Sequence, residues 1–85
     1  MEKVKVGKVF TYFAKIGVAG IKLTDGTLRI GDKISIEGAT TNFEQEVESM
    51  QIDRTPVEEA KPGDSIGIKV KDRVRPNDVV YKIVE

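Results

Sequence analysis

The strongest constraint on the fold is an alternation of apolar and polar residues with a period of two. It occurs in residues 3–6, 33–37, 65–71 and 79–83. Successive side chains of a β-strand point to opposite faces, so this pattern is typical of half-buried antiparallel strands. The side chains predicted to face inward are Val4, Val6, Ile34, Ile36, Ile66, Ile68, Val70, Val79, Tyr81 and Ile83.

The middle of the chain shows the same alternation with a change of phase. Phe43 and Val47 share one phase, whereas Met50 and Ile52 take the other. A phase change within one strand indicates a β-bulge, which we predict near residues 48–49. The spacing of Phe43, Val47 and Met50 also fits a short helix, and the sequence leaves that alternative open.

Turn-forming residues separate the predicted strands. Asp25-Gly26 is the strongest hairpin-type pair, and Pro56, Pro62-Gly63 and Pro76-Asn77 each end a segment. These residues are typical of chain reversals because glycine and asparagine tolerate positive φ and proline ends a strand ladder.

A local repeat links two of the turns. Residues 31–36 and 63–68 both begin with Gly-Asp and continue as an alternating strand. The glycine can adopt the positive φ of a tight turn, and the aspartate carboxylate can accept a local backbone N–H. We interpret both pairs as architectural.

About six short strands with turn signals roughly every ten residues are typical of a small sandwich or barrel. Closing the sheet removes its exposed edges, so we predict one all-β domain over residues 1–85, a closed six-stranded antiparallel Greek-key barrel. Gly7, Gly17 and Gly20 lie in strand-like stretches, where glycine permits sharp bends. Close approach of a ligand is the alternative reading of these glycines.

Charge is balanced overall but unevenly placed. The 14 basic and 14 acidic residues give a formal net charge of zero. Residues 1–33 hold seven basic and three acidic side chains, and residues 34–64 hold two basic and eight acidic ones. A bipolar surface can orient a charged partner. Solvated strand faces of mixed sign are the simpler interpretation.

Composition also bears on location. The first residues lack the apolar run of a secretory signal, no stretch approaches the roughly 20 apolar residues of a membrane helix, and cysteine is absent. We therefore expect a cytoplasmic protein. Charged residues make up 33% of the chain, which is compatible with a thermophilic source.

The sequence lacks the residues on which most catalytic sites depend. Histidine and cysteine are absent, which removes the commonest general base, the usual zinc ligands and the thiol nucleophile. No phosphate-binding loop of the GxxxxGK[ST] kind is present. Glu44, Glu46 and Glu48 would share one strand face without a chelating loop, which favours a solvated face over a metal site. We predict no enzymatic activity, no cofactor and no metal.

Four segments, at residues 7–10, 28–36, 60–68 and 74–80, combine turn glycines, acidic residues and strand-forming residues. In order and spacing they resemble the domain 2 barrel of translational GTPases such as elongation factor Tu and the initiation factors. The chain is also similar to small archaeal and bacterial translation elongation factor-like proteins that consist of this barrel alone. The resemblance implies the barrel fold across nearly the whole chain.

In the elongation factors, the resemblance implies, this barrel packs against a nucleotide-binding domain and helps to hold the aminoacylated end of transfer RNA. The family's pocket corresponds to residues 7–10 and 41–43 of this chain. Phe10 keeps the aromatic position, whereas Gly7 and Lys8 replace an acidic pair. Lys8 could still meet an RNA phosphate. The site residues that the resemblance implies are Lys8, Phe10, Thr41 and Asn42.

Arg73 and Arg75 form a second candidate site. They flank Val74, so they could share one strand face and bind an anion. A solvated loop before Pro76 is the alternative reading.

Two functional hypotheses follow. The first, which we favour, is a non-catalytic, monomeric module that docks on a GTPase, the ribosome or a separately encoded enzyme, because barrels like this look similar to accessory domains of larger enzymes. The second is an RNA-binding module for transfer RNA or another single-stranded RNA end, with Phe10 and Tyr12 stacking on bases.

Overall fold

The computed structural model describes residues 2–84, which form ten β-strands and no helix. Among these residues, accordingly, no helix is long and apolar enough to cross a membrane. The strands are β1 (Glu2–Phe13), β2 (Val18–Leu23), β3 (Leu28–Arg29), β4 (Lys33–Glu37), β5 (Asn42–Glu46), β6 (Met50–Ile52), β7 (Thr55–Pro56), β8 (Glu59–Ala60), β9 (Ser65–Lys69) and β10 (Val79–Val84).

Eight strands form one antiparallel sheet and the other two form a short ribbon. The order in the sheet is β5-β4-β10-β1-β2-β9-β6-β7, and β3 pairs with β8. The all-β prediction is confirmed. Barrel closure and the number of six strands are not confirmed, because the sheet has eight strands and its end strands β5 and β7 do not pair with each other within residues 2–84. Pro56 in β7 has no N–H to offer a further strand, which ends the sheet on that side.

β1 is the longest strand and pairs with both β10 and β2. Its register shifts between Lys5 and Gly7 against β10, and between Val9 and Thr11 against β2. Such bulges bend a strand and increase its twist. A Cβ on Gly7 would lie 2.3 Å from the backbone oxygen of Lys22, so the close approach of β1 and β2 requires glycine there.

The chain reverses between β1 and β2 at residues 14–17, a turn that the sequence analysis did not predict. The N–H groups of Ile16 and Gly17 donate to the Phe13 carbonyl at 3.2 and 2.9 Å. Asp25-Gly26 is not a hairpin because β3, which follows it, pairs with β8 and not with β2.

Residues 47–49 separate β5 from β6, so the bulge predicted near residues 48–49 and the alternative helix are both wrong. Val47 is fully buried; its N–H donates to the Asp32 carbonyl, and its own carbonyl accepts from Gly31, both at 2.8 Å. The phase change in the sequence marks the end of one strand and the start of another.

Three turns share one geometry, which extends the predicted Gly-Asp repeat to a third copy. They span residues 29–32, 61–64 and 75–78, and in each the aspartate Oδ2 accepts the N–H of the first residue at 2.9 Å. The residue before the aspartate has positive φ, as a type II turn requires. These residues are Gly31 (95°), Gly63 (98°) and Asn77 (78°).

The buried apolar side chains form one core cluster. Its largest fully buried side chains include Ile21, Leu23, Leu28, Ile34, Ile36, Ile68, Val6, Val9, Val47, Val74 and Val80.

In β1 and β10 the buried side chains differ from those that were predicted to face inward. Val4 is 45% exposed at the start of β1, whereas Val80 is fully buried in β10. Val79, Tyr81 and Ile83 are half-buried. The reason is register: Val80 lies opposite the buried Ile36, which places it on the core face.

Candidate docking groove

The outer face of the sheet carries a groove whose floor consists of two glycines. Gly20 in β2 lies directly opposite Gly67 in β9. Their neighbours Ala19, Ile21 and Ile66 point into the core, so both glycines face outward. Because neither carries a side chain, the backbone of two adjacent strands forms the floor, which is covered at Gly20 and half-buried at Gly67.

Three large apolar side chains form the wall on the β1 side. Phe10, Phe13 and Ile16 are 53%, 52% and 60% exposed. Phe10 lies at the bulge of β1, and its ring covers part of the floor, because a Cβ on Gly20 would lie 2.9 Å from Phe10 Cζ. The hairpin turn at residues 14–17 places Ile16 beside Phe13.

The wall on the β6–β7 side is polar. Gln51, Asp53 and Arg54 line it, Ser65 of β9 also lines the groove, and the groove encloses about 430 Å³. This volume is comparable to that of a small ligand site, although this groove is open along its length. An adjoining hollow of about 280 Å³ extends past Ile16 to Lys69 and Pro56.

Asp53 and Arg54 form the two-residue turn between β6 and β7. Both have positive φ, of 50° and 66°, and Ile52 pairs with Thr55 on either side. A type I′ turn of this kind favours Asn-Gly, because a side chain in the left-handed region meets steric repulsion. Arginine is therefore an unfavourable residue at position 54 for folding alone.

Three of the six predicted site residues lie close together. Lys8 and Phe10 flank Val9 in β1 and are both exposed. Val9 donates to the Asp78 carbonyl and accepts from the Asn77 N–H, both at 2.8 Å, which ties the turn that contains Arg75 to this part of β1.

The structure does not bring Thr41 and Asn42 to Phe10. Lys8 and Asn42 lie at the same level of the sheet, but β10 and β4 stand between their strands. Asn42 is therefore three strands away from Lys8, on the order of 14 Å. Thr41 is only 5% exposed, and its carbonyl accepts the Gly38 N–H at 2.7 Å.

Arg73 and Arg75 are exposed on either side of Val74, which is 2% exposed. They lie in the loop between β9 and β10 and not in a strand. No ion pair involving either guanidinium occurs within residues 2–84.

The model of elongation factor Tu domain 2 matches residues 17–81 of this chain. The chain belongs to the elongation factor Tu domain 2 family. The predicted resemblance is thereby confirmed, and the matched range contains three of its four segments, at residues 28–36, 60–68 and 74–80. In this domain 2 fold the groove crosses four adjacent strands, β1, β2, β9 and β6.

Several relatives of this domain 2 chain are proteases. A collagenase of Porphyromonas gingivalis is 43% identical over 82 residues, which are 95% of this chain and 20% of the relative. An uncharacterised protease of Methanocaldococcus jannaschii is 43% identical over 98% of this chain and 20% of the relative. The elongation factor 1-alpha of Thermococcus onnurineus is 39% identical over 68% of this chain. The chain thus spans about a fifth of the length of the protease relatives that it matches.

A solved structure has the same fold. It is the C-terminal domain of a Geobacillus thermoleovorans protein assigned to the U32 peptidases. The TM-score is 0.88 with 24% identity, and the match covers 95% of this chain and 93% of the other.

Sequence reasoning named only Phe10 among the residues that form the walls of the groove. Phe13, Ile16 and Arg54 were not among the site residues predicted from the sequence. The signal that could have found the groove is the pair of Gly20 and Gly67, but their juxtaposition depends on the register of β2 and β9.

The acidic run outside the groove is solvated. Glu44, Glu46 and Glu48 are exposed on β5 and the residues that follow it. Residues 2–84 contain no group of three acidic side chains placed to hold a metal ion.

An ion pair between β1 and β4 shifts the pKa values of both its partners. Lys3 Nζ lies 2.7 Å from Glu37 Oε2, which also accepts a hydrogen bond from Ser35 Oγ at 2.8 Å. The hydrogen bonds from Lys3 and then Ser35 hold the pKa of Glu37 below its ordinary value. The hydrogen bond to Glu37 raises the pKa of Lys3.

Proposed function

We propose that this domain is a non-catalytic docking module that works with a peptidase, its groove supplying the contact surface. The observation that carries the proposal is the groove itself: three large apolar side chains, each more than half exposed, stand beside a glycine floor. Contiguous exposed apolar patches on a small domain mark interaction sites. A peptidase is the partner class because the matching segment makes up a fifth of two proteases.

The absence of a catalytic set of side chains supports a role in binding. The chain has no histidine or cysteine to act as base or thiol nucleophile. The Ser35 hydroxyl donates to the Glu37 carboxylate, a pairing that could activate a nucleophile, but Ser35 is fully buried and beyond the reach of a substrate.

The experiment is capture from an extract of the native source. The immobilised 85-residue chain is incubated with nuclease-treated extract, and bound proteins are identified by mass spectrometry. We expect a peptidase to be enriched on the wild-type chain and reduced on Ile16→Ser. Ile30→Ser is the matched control, since Ile30 is also an exposed isoleucine in a turn, 41% exposed, but lies outside the groove.

A solution assay accompanies the capture. The purified chain alone is incubated with casein and gelatin, and its binding to labelled transfer RNA is followed by fluorescence anisotropy at two salt concentrations. We expect neither proteolysis nor salt-dependent binding. Proteolysis by the chain would refute a non-catalytic role. RNA binding that weakens with salt and with Lys8→Glu would replace the peptidase proposal by the RNA hypothesis.

A further inference from the structure

From the charges that flank the groove, we infer the chemistry of the segment that it accepts: an extended, acidic segment of the partner that places an apolar side chain over Gly67, beside the exposed rings of Phe10 and Phe13. This inference rests on the proposed function and specifies its contact. The occupant is a protein segment, not a nucleic acid or a second copy of this chain.

The shape of the groove selects an extended segment. Gly20 is buried beneath Phe10 and Thr11, whereas Gly67 on the neighbouring strand is only half-buried. A Cβ on Gly67 would approach Val18 Cγ1 at 3.3 Å and Gln51 Cγ at 3.4 Å. A side chain at position 67 would therefore fill the trough. The open length and narrow floor fit one chain in extended conformation with one side chain lying inward.

The apolar wall selects the inserted side chain. Phe10 and Phe13 are two of the three phenylalanines in the chain, and both remain about half exposed. Aromatic side chains in a concave site are the usual anchors of protein interfaces because they bury a large area on binding. The wall therefore favours an aliphatic or aromatic side chain of the partner.

The charges select an acidic segment. Arg54 lines the groove, Lys69 lines the adjoining hollow, and Lys15 stands in the turn between Phe13 and Ile16. Asp53 is the one acidic residue among those that line the two depressions within residues 2–84. A basic rim around an apolar centre attracts and orients an acidic partner.

The conformation of Arg54 supports a binding role independently. Its φ of 66° places an arginine where glycine would be more stable. Residues kept in unfavourable backbone conformations concentrate at functional sites, since folding stability alone would replace them. Arg54 thus points to a contact that selection for stability does not explain.

The test uses the 85-residue chain labelled with ¹⁵N and two synthetic peptides. One peptide carries a phenylalanine flanked by glutamate and aspartate, and the other carries the same phenylalanine flanked by lysines. We expect the acidic peptide to shift the amide resonances of Gly20, Ser65 and Gly67 and to bind at least tenfold more tightly than the basic peptide. Equal binding of the two peptides, or shifts confined to residues outside the groove, would overturn the inference.

Arg54→Gly separates binding from folding. Glycine relieves the unfavourable φ, so the Tm should rise by about 4 °C while affinity for the acidic peptide falls at least threefold. Lys69→Glu should weaken binding similarly, and the control Lys61→Glu, exposed outside the groove, should not. Unchanged affinity in both Arg54→Gly and Lys69→Glu would refute the assignment of an acidic segment.

Failure of this inference is distinguishable from failure of the proposed function. If a peptidase is captured but the groove variants hold it as well as Ile30→Ser does, the docking function stands and the groove assignment falls. If the acidic peptide binds the groove but no peptidase is captured, the groove chemistry stands and the peptidase partner is wrong.

Discussion

The Gln45 carboxamide takes the place of a missing strand beside Lys69. Gln45 Nε2 donates to the Lys69 carbonyl at 2.8 Å, and Gln45 Oε1 accepts the Lys71 N–H at 2.9 Å. β6 begins at Met50, opposite Ile68, so the backbone of β9 beyond Ile68 has no strand partner on that side. One amide side chain on the edge strand β5 thus joins two parts of the sheet that do not form a ladder.

This bridge predicts a loss of stability in Gln45→Ala. Removing two hydrogen bonds at a partly exposed position should lower the free energy of unfolding by about 1–2 kcal/mol in urea denaturation. Gln45→Glu should also be destabilising because a carboxylate cannot donate to the Lys69 carbonyl. Gln51→Ala removes the same type of side chain at a position where it makes no side-chain hydrogen bond within residues 2–84. It should therefore lower the free energy of unfolding by less than Gln45→Ala does. Equal losses in Gln45→Ala and Gln51→Ala would contradict the role of the bridge.

Replacing glycine by alanine should lower stability by different amounts at Gly7 and at Gly31. In Gly7→Ala the new Cβ would meet the Lys22 backbone oxygen at 2.3 Å, and two paired strands cannot easily separate, so we expect a loss of about 3 kcal/mol. In Gly31→Ala nothing lies within 4 Å, and only the φ of 95° is unfavourable, so the loss should be about 1 kcal/mol. Thermal unfolding of both variants measures which of them loses more stability. A larger loss in Gly31→Ala than in Gly7→Ala would contradict the close approach of β1 and β2.

The three turn aspartates predict a graded effect of substitution by alanine. Asp78 is 5% exposed and lies against Gly38, whereas Asp32 and Asp64 are more exposed. Loss of the buried carboxylate leaves the Arg75 N–H without its acceptor, so Asp78→Ala should cost about 2–3 kcal/mol and Asp64→Ala about 1 kcal/mol. Denaturant titrations of the three variants provide the test, and equal costs would indicate that burial does not matter at Asp78.

The sequence predicts local structure better than pairing in this domain. Alternation at residues 65–71 and the Gly-Asp turns were identified correctly, because each depends on neighbours within a few residues. Closure of the sheet depends on which distant strands meet, and no local pattern reveals that Gln45 faces Lys69. The inward set of β10 was misread for the same reason, since Val79 and Val80 are equally apolar and only the register with β4 selects Val80.

The residues of the candidate groove show the same limit: those that distant strands bring together could not be predicted from local sequence. Phe10 was accessible to sequence reasoning because the family resemblance marks it. Gly20 and Gly67 are 47 positions apart in the sequence and meet only through the pairing of β2 with β9. Arg54 gives no signal in the sequence, because Asp-Arg would not be expected to adopt the positive φ values of this turn.

The ion pair of Lys3 and Glu37 predicts how stability depends on pH. The Glu37 carboxyl has an ordinary pKa of 4.5 that the Lys3 and Ser35 hydrogen bonds lower in the folded state. Its contribution is therefore fully present above pH 4.5 and is lost as the pH falls through the lowered pKa. For Lys3, with an ordinary value of 10.5 and a raised pKa, the contribution is present below pH 10.5 and is lost as the pH rises through the raised pKa.

Lys3→Gln tests this dependence, with Lys5→Gln as its control. Lys5 is the next lysine on β1, but its Nζ lies 3.9 Å from Asp25 Oδ2, a much looser contact than the 2.7 Å pair of Lys3. Urea denaturation at several pH values should show that Lys3→Gln flattens the loss of stability below pH 4.5, because the pKa of Glu37 then shifts less on folding. Ser35 still donates to the carboxylate, so part of the slope should remain. Identical acid slopes in Lys3→Gln and wild type would show that the pair does not contribute to folding.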